Sequence, residues 1–67
     1  MFKLLDVVAI THNDDEHGVK KGFIGTIVDV HAGGEAYTVE FLDDKGETIE
    51  EALFTDYKQE ELVLVTR

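Results

Sequence analysis

The chain has 67 residues and no cysteine, and its 15 acidic side chains against 6 basic ones leave a net charge of −9. This length makes one small domain; the missing cysteines exclude disulfides and thiolate metal sites, and so negative a surface repels nucleic-acid phosphates and anionic headgroups. A domain this small buries only about 60% of the surface its unfolded chain exposes, so it needs a tightly closed core, self-association or both.

The charge is uneven. Residues 1–34 carry a net −2 and residues 35–67 a net −7, so a charge-driven function is expected in the second half. The apolar opening is interrupted at Asp6, no small-residue cleavage site follows, and no stretch approaches the roughly 20 apolar residues of a membrane span. The expected location is cytoplasmic, with no membrane partner.

Leu4 to Ile10 is expected as the first strand. Thr11 to Lys21 is a polar, acidic loop long enough to fold over one end of a small barrel. Gly22 and Gly25 bracket the start of a second strand that runs to about Val30; a glycine inside a strand marks a bulge, a bend or a close backbone approach. Alternation places Ile24, Thr26, Val28 and Val30 on one face and Ile27 and Asp29 on the other. Gly33-Gly34 supplies the positive-φ positions of a hairpin turn.

Ala36 to Phe41 alternates cleanly, with Tyr37, Val39 and Phe41 inward and Ala36, Thr38 and Glu40 outward. Asp43-Asp44-Lys45-Gly46 reads as a type I turn closed by a left-handed glycine. It leads into a fourth strand from Glu47 to about Phe54, whose phase conflicts: Ile49 and Leu53 share one face, Ala52 and Phe54 the other. A bulge near Glu50-Glu51 turns Phe54 inward; the alternative leaves Phe54 exposed as a partner contact. Asp56 to Glu61 fits one helical turn capped by Thr55 or Asp56. The chain closes with Leu62-Val63-Leu64-Val65 and Thr66, an apolar run that wants both faces covered. The expected fold is all-β, a small five-stranded SH3-like barrel over residues 1–67 with one short helical turn before the last strand.

Several pieces also carry a resemblance: Glu16-His17-Gly18 with Lys20, Gly22, Gly25, Thr26 and Val28, then Ala36-Tyr37 with Val39, Glu40 and Phe41. Across almost its whole length the chain resembles a family of small bacterial proteins, a domain of unknown function with an SH3-like barrel. The resemblance implies that fold and no particular activity. Two departures stand out: Asp15 stands where members often have proline, and Leu62-Val63-Leu64-Val65 where they end in a Leu-Arg-Pro-Val-like strand. The second removes a cation and a proline that discourage edge pairing. More distantly, the Gly22 to Val28 element resembles barrels of RNA-binding ribosomal and transcription proteins, but the basic surface those use is missing here.

For catalysis the chain offers no cysteine and no serine, and a barrel this small has little interior for a pKa-shifting cleft, so no catalytic residue and no cofactor is expected. His12 and His17, beside Asp14, Asp15 and Glu16, match no defined metal spacing. Asp14-Asp15 and Asp43-Asp44 lack the oxygen spacing of a calcium loop. Protein binding has the most physical support, as a small acidic interaction module that neutralises or scaffolds a basic partner. Its expected contact residues are Asp14, Asp15, Glu16, Glu35, Glu40, Glu50 and Glu51, with Tyr57 either an aromatic anchor or a packing residue that covers one barrel end with its hydroxyl exposed. The alternative is a self-associating structural protein, a homodimer through the last strand or an exposed Phe54. No nucleic-acid partner is expected.

Overall fold

The computed structural model describes residues 1–65, so Thr66, the end of the expected closing stretch, lies outside the described residues. The described chain is all-β, with two short 3₁₀ helices. Strands β1 (Val7–Ile10), β2 (Ile24–His31), β3 (Ala36–Phe41) and β4 (Leu62–Leu64) form one antiparallel sheet in the order β3-β2-β1-β4. No helix among the described residues is long and apolar enough to cross a membrane.

The alternation in β3 does what its pattern demands. Tyr37, Val39 and Phe41 are fully buried, while Ala36, Thr38 and Glu40 are half-buried on the outer face. Across from them, Val8 and Ile10 of β1, Ile27 of β2 and Leu62 of β4 complete the sheet's share of the core. Gly25 lies directly opposite Phe41, and a Cβ there would stand 2.6 Å from Val39 Cγ1 and 2.8 Å from Phe41 Cδ1. Glycine is present because two core side chains occupy its side-chain space.

Strand β1 is shorter than expected. Leu4 and Leu5 fall in a turn before it, Leu5 adopts a left-handed φ of 71°, and Asp6 accepts the Lys3 amide at 2.8 Å. The faces of β2 also differ from strict alternation. The β2–β3 register shifts between Ile27 and Asp29, so one extra residue, Val28, turns the chain over. Val30 therefore packs on the core with Ile27, instead of sharing the exposed face of Ile24 and Val28.

The expected fourth strand is the main correction. Thr48 makes a single bridge to Leu42, and Glu50–Phe54 then winds into a 3₁₀ helix, leaving four strands where five were expected. The phase conflict reflects this change of period. Ile49 and Ala52, three residues apart, both point into the core, as a three-residue turn requires and a strand forbids. The preferred bulge is absent, and Phe54 is 89% exposed.

After this helix Tyr57 returns to the sheet and exchanges backbone hydrogen bonds with Tyr37, each at 2.8 Å. A second 3₁₀ helix, Gln59–Glu61, precedes β4. Its first turn is held by the Glu61 carboxylate accepting the Lys58 amide at 2.8 Å, rather than by Thr55 or Asp56.

Candidate functional site

The loop between β1 and β2 is folded on itself. Asp14 and Val19 exchange backbone hydrogen bonds at 2.7 and 3.0 Å, and buried Val19 plugs the loop into the core. Asn13 adds a side-chain acceptor for the Lys21 amide at 2.8 Å. The loop is therefore a fixed hairpin that presents Glu16, His17 and Gly18 at its tip.

Asp14 fastens that hairpin to the body. Its Oδ2 accepts the Tyr57 hydroxyl at 2.6 Å and the His17 Nδ1 proton at 2.9 Å. Burial opposes the charge on Asp14, but the Tyr57 hydroxyl and the His17 ring together outweigh it and hold the carboxyl below its ordinary value. The same contact seen from Tyr57 is burial plus an adjacent carboxylate, which push the phenol well above its usual range. With Nδ1 committed to Asp14, a neutral His17 leaves Nε2 as an acceptor.

Next to this hairpin lies an open pocket of 320 Å³, lined by Glu16, His17, Gly18, Asp43, Thr48, Ile49 and Glu51. Three separate segments build it: the loop tip, the β3-terminal turn and the entry to the first 3₁₀ helix. The turn is well determined, with Asp43 Oδ1 accepting the Lys45 amide at 2.8 Å and the Glu47 amide at 2.9 Å. Those amides, Glu47 first, hold the Asp43 carboxyl below its ordinary value. Thr48 donates its hydroxyl to Glu40 at 3.0 Å, which leaves acceptor capacity on its oxygen.

Among the described residues no lysine or arginine lines the pocket. Every ion pair among the described residues uses a histidine: His12 with Glu61 at 3.4 Å, His17 with Asp14, and His31 with Asp56 at 3.4 Å and Asp29 at 4.0 Å. Among the described residues Glu16, Asp43 and Glu51 therefore form no ion pair, and only the nearby Lys45 charge acts on Asp43. Among the described residues no group of three or more His, Cys, Asp or Glu is arranged to hold a metal ion.

Of the contact residues expected from sequence, Glu16 and Glu51 meet at the pocket. Asp15 and Glu50 are exposed beside it but do not line it, and Glu35 sits in the β2–β3 turn. Glu40 is on the outer face of the sheet, engaged by Thr48. Asp14 is half-buried and structural. Tyr57 is no surface anchor: it is 2% exposed, packs edge-on against Phe41 with ring centroids 5.2 Å apart, and spends its hydroxyl on Asp14. Sequence reasoning missed Asp43, Thr48 and Ile49 as lining residues. The clue for Asp43 was its place one turn away from the acidic run at Glu50-Glu51.

A family model described as Domain of unknown function (DUF4926) matches residues 4–58, and the chain belongs to that family. No curated protein matches the chain, and no solved structure matches it.

Proposed function

We propose that this DUF4926 member is a small acidic protein-interaction module that binds a basic partner protein at the pocket between the loop tip and the β3-terminal turn. One observation carries the reading. Three carboxylates from three segments, Glu16, Asp43 and Glu51, surround an open pocket with an apolar contribution from Ile49, and among the described residues none of them is in a salt bridge. A lysine or arginine side chain entering there meets acceptors on several sides and apolar surface for its methylene stem. The −9 charge of the whole chain steers such a partner inward and speeds encounter at low salt.

The same proposal takes the domain as SH3-like, bacterial and cytoplasmic. The element order supports the SH3-like part: a long folded loop after β1, β4 returning beside β1, and a 3₁₀ turn immediately before the last strand. Tyr57 occupies the edge of β3 where such barrels place their remaining strand. No catalytic step is assigned to the pocket: among the described residues the one hydroxyl lining it belongs to Thr48, and it donates to the Glu40 carboxylate.

The test is a titration of the isotope-labelled domain with a lysine- and arginine-rich peptide, followed by amide chemical shifts. The reading expects changes concentrated at residues 16–18 and 43–51, fading as salt is raised, and lost in the Glu16→Lys, Glu51→Lys double variant. Shifts spread evenly over all 15 acidic positions would reduce the effect to counterion attraction and overturn it.

A further inference from the structure

Strand β4 ends the sheet with its outer edge unpaired among the described residues. Antiparallel pairs alternate between hydrogen-bonded and non-hydrogen-bonded positions. Thr11 donates to Glu61 at 2.9 Å and Val65 donates to Val7 at 2.9 Å, so the bonded positions on this strand are 61, 63 and 65. The backbone groups of Leu62 and Leu64 therefore point away from β1. The Leu62 amide is taken up by Gln59, which leaves the Leu62 carbonyl and both backbone groups of Leu64 on the open edge.

The side chains of this edge are equally unmet. Val63 and Leu64 project to opposite faces of the strand, and they are 51% and 54% exposed. Bare edges are normally blunted by lysine, proline or a bulge, and Leu62–Val65 carries none of these. On the outer face, Val63 continues a cross-strand row through Ala9, Ile24 and Leu42, all uncharged, in a chain whose charged residues make up 31%.

We infer that β4 pairs antiparallel with β4 of a second copy about a two-fold axis, joining two four-stranded sheets into one. Open backbone groups call for a strand, not for a helix or a loop. An uncharged apolar strand offers nothing to the basic partner assigned to the pocket, but it is complementary to itself: a two-fold axis gives Val63 and Leu64 apolar neighbours on both faces at once. It is also a surface through which two copies of net charge −9 can meet without bringing carboxylates face to face. Specific stable interfaces bury about 800 Å² per partner, and a three-residue edge supplies less, so the dimer is dependent on concentration. This surface is separate from the pocket, and its salt response is opposite in sign. Screening the −9 charge strengthens self-pairing and weakens binding of a basic partner.

The deciding experiment is light-scattering mass against protein concentration, at low and high salt, on the wild-type chain and three variants. Wild type is expected to rise from monomer towards dimer mass, more readily at high salt, with Leu64 amide exchange slowing as the dimer fills. Leu64→Pro removes only an outward amide and keeps the β1–β4 ladder, and Val63→Lys places two cations opposite each other. Each is expected to weaken association by at least about tenfold while circular dichroism reports an unchanged fold. Leu42→Lys, at the far end of the row, is expected to leave association intact. A wild type that stays monomeric at high concentration and high salt overturns the inference. So does a folded Leu64→Pro chain that associates like wild type, and dissociation by Leu42→Lys shows face packing in place of edge pairing.

Discussion

Along the β3 edge the chain turns back and covers its own backbone: Ile49 donates to the Phe41 carbonyl at 2.9 Å, and Tyr57 exchanges two bonds with Tyr37. Along the β4 edge no described residue pairs, and Val63 and Leu64 stand half in solvent. The difference lies in what each segment brings. The returning stretch contributes Ile49, Ala52 and Tyr57 to the core and places a carboxylate-bound hydroxyl beneath the β1–β2 loop. β4 contributes Leu62 alone. Edge coverage and core packing are thus the same event on one side of the sheet and are uncoupled on the other.

Tyr57→Ala breaks the comparison hardest. It deletes one of the largest fully buried side chains, removes the edge-on contact with Phe41, and leaves Asp14 without its hydroxyl donor. Large-to-small aromatic changes cost about 3–5 kcal/mol, which is most of the stability of a marginal domain. Denaturant unfolding should show that loss. Val63→Lys, on the open edge, should move monomer stability by no more than about 0.5 kcal/mol. Equal losses at the two sites would mean that β4 is packed more deeply than its exposure indicates.

Gly25→Ala comes next and probes the sheet between the edges. The new methyl meets Val39 and Phe41 at distances real side chains do not tolerate. Both neighbours are fully buried and cannot swing aside, so a cost of about 1–3 kcal/mol is expected in the melting curve.

Asp14→Asn sharpens how the covered side is held. The carboxylate has a folded-state pKa below its ordinary 3.8, so its stabilisation is fully present above that value and is lost as pH falls through the folded value. The amide keeps acceptor capacity but no charge, and about 1 kcal/mol should disappear at neutral pH. In acid unfolding the gap between wild type and variant should close below pH 3.8, and a constant gap at all pH would assign the loss to packing instead.

Much of this asymmetry was readable from the residues. The strict alternation of β3 and the Asp43 to Gly46 turn are local chemistry and stand where the residues put them. For Gly25 the sequence left a bulge, a bend or a close approach open, and the facing strand decides for the last. The stretch from Glu47 to Phe54 misled because strand propensity was read through a two-residue period, whereas Ile49 and Ala52 obey a three-residue one. The conflict of phase was itself the sign of a change in secondary structure. At the site, Glu16 and Glu51 were legible as members of an acidic run, but their meeting depends on a loop closing on a turn. Of the two readings of Tyr57 the packing one agrees with its burial, but its hydroxyl is not exposed: it is spent on Asp14, 43 residues away, and no local pattern announces such a bond. Asp43 stayed hidden because turn chemistry explains it completely without a site.

Phe54→Ala carries the smallest expected effect and tests the limit of the comparison. Phe54 belongs to the segment that covers the β3 edge, yet it is 89% exposed and only the residues before it, Ile49 and Ala52, are buried. If coverage of this edge comes from backbone pairing and those two side chains, truncating Phe54 removes almost no buried surface. Unfolding free energy should then change by less than about 0.5 kcal/mol. Light-scattering mass should also be unchanged, since the pairing assigned to the open edge runs through β4. A loss above about 1 kcal/mol would show that the Phe54 ring folds back onto the domain in solution. A loss of dimer mass without loss of stability would move the self-association surface from the open edge to the covered one.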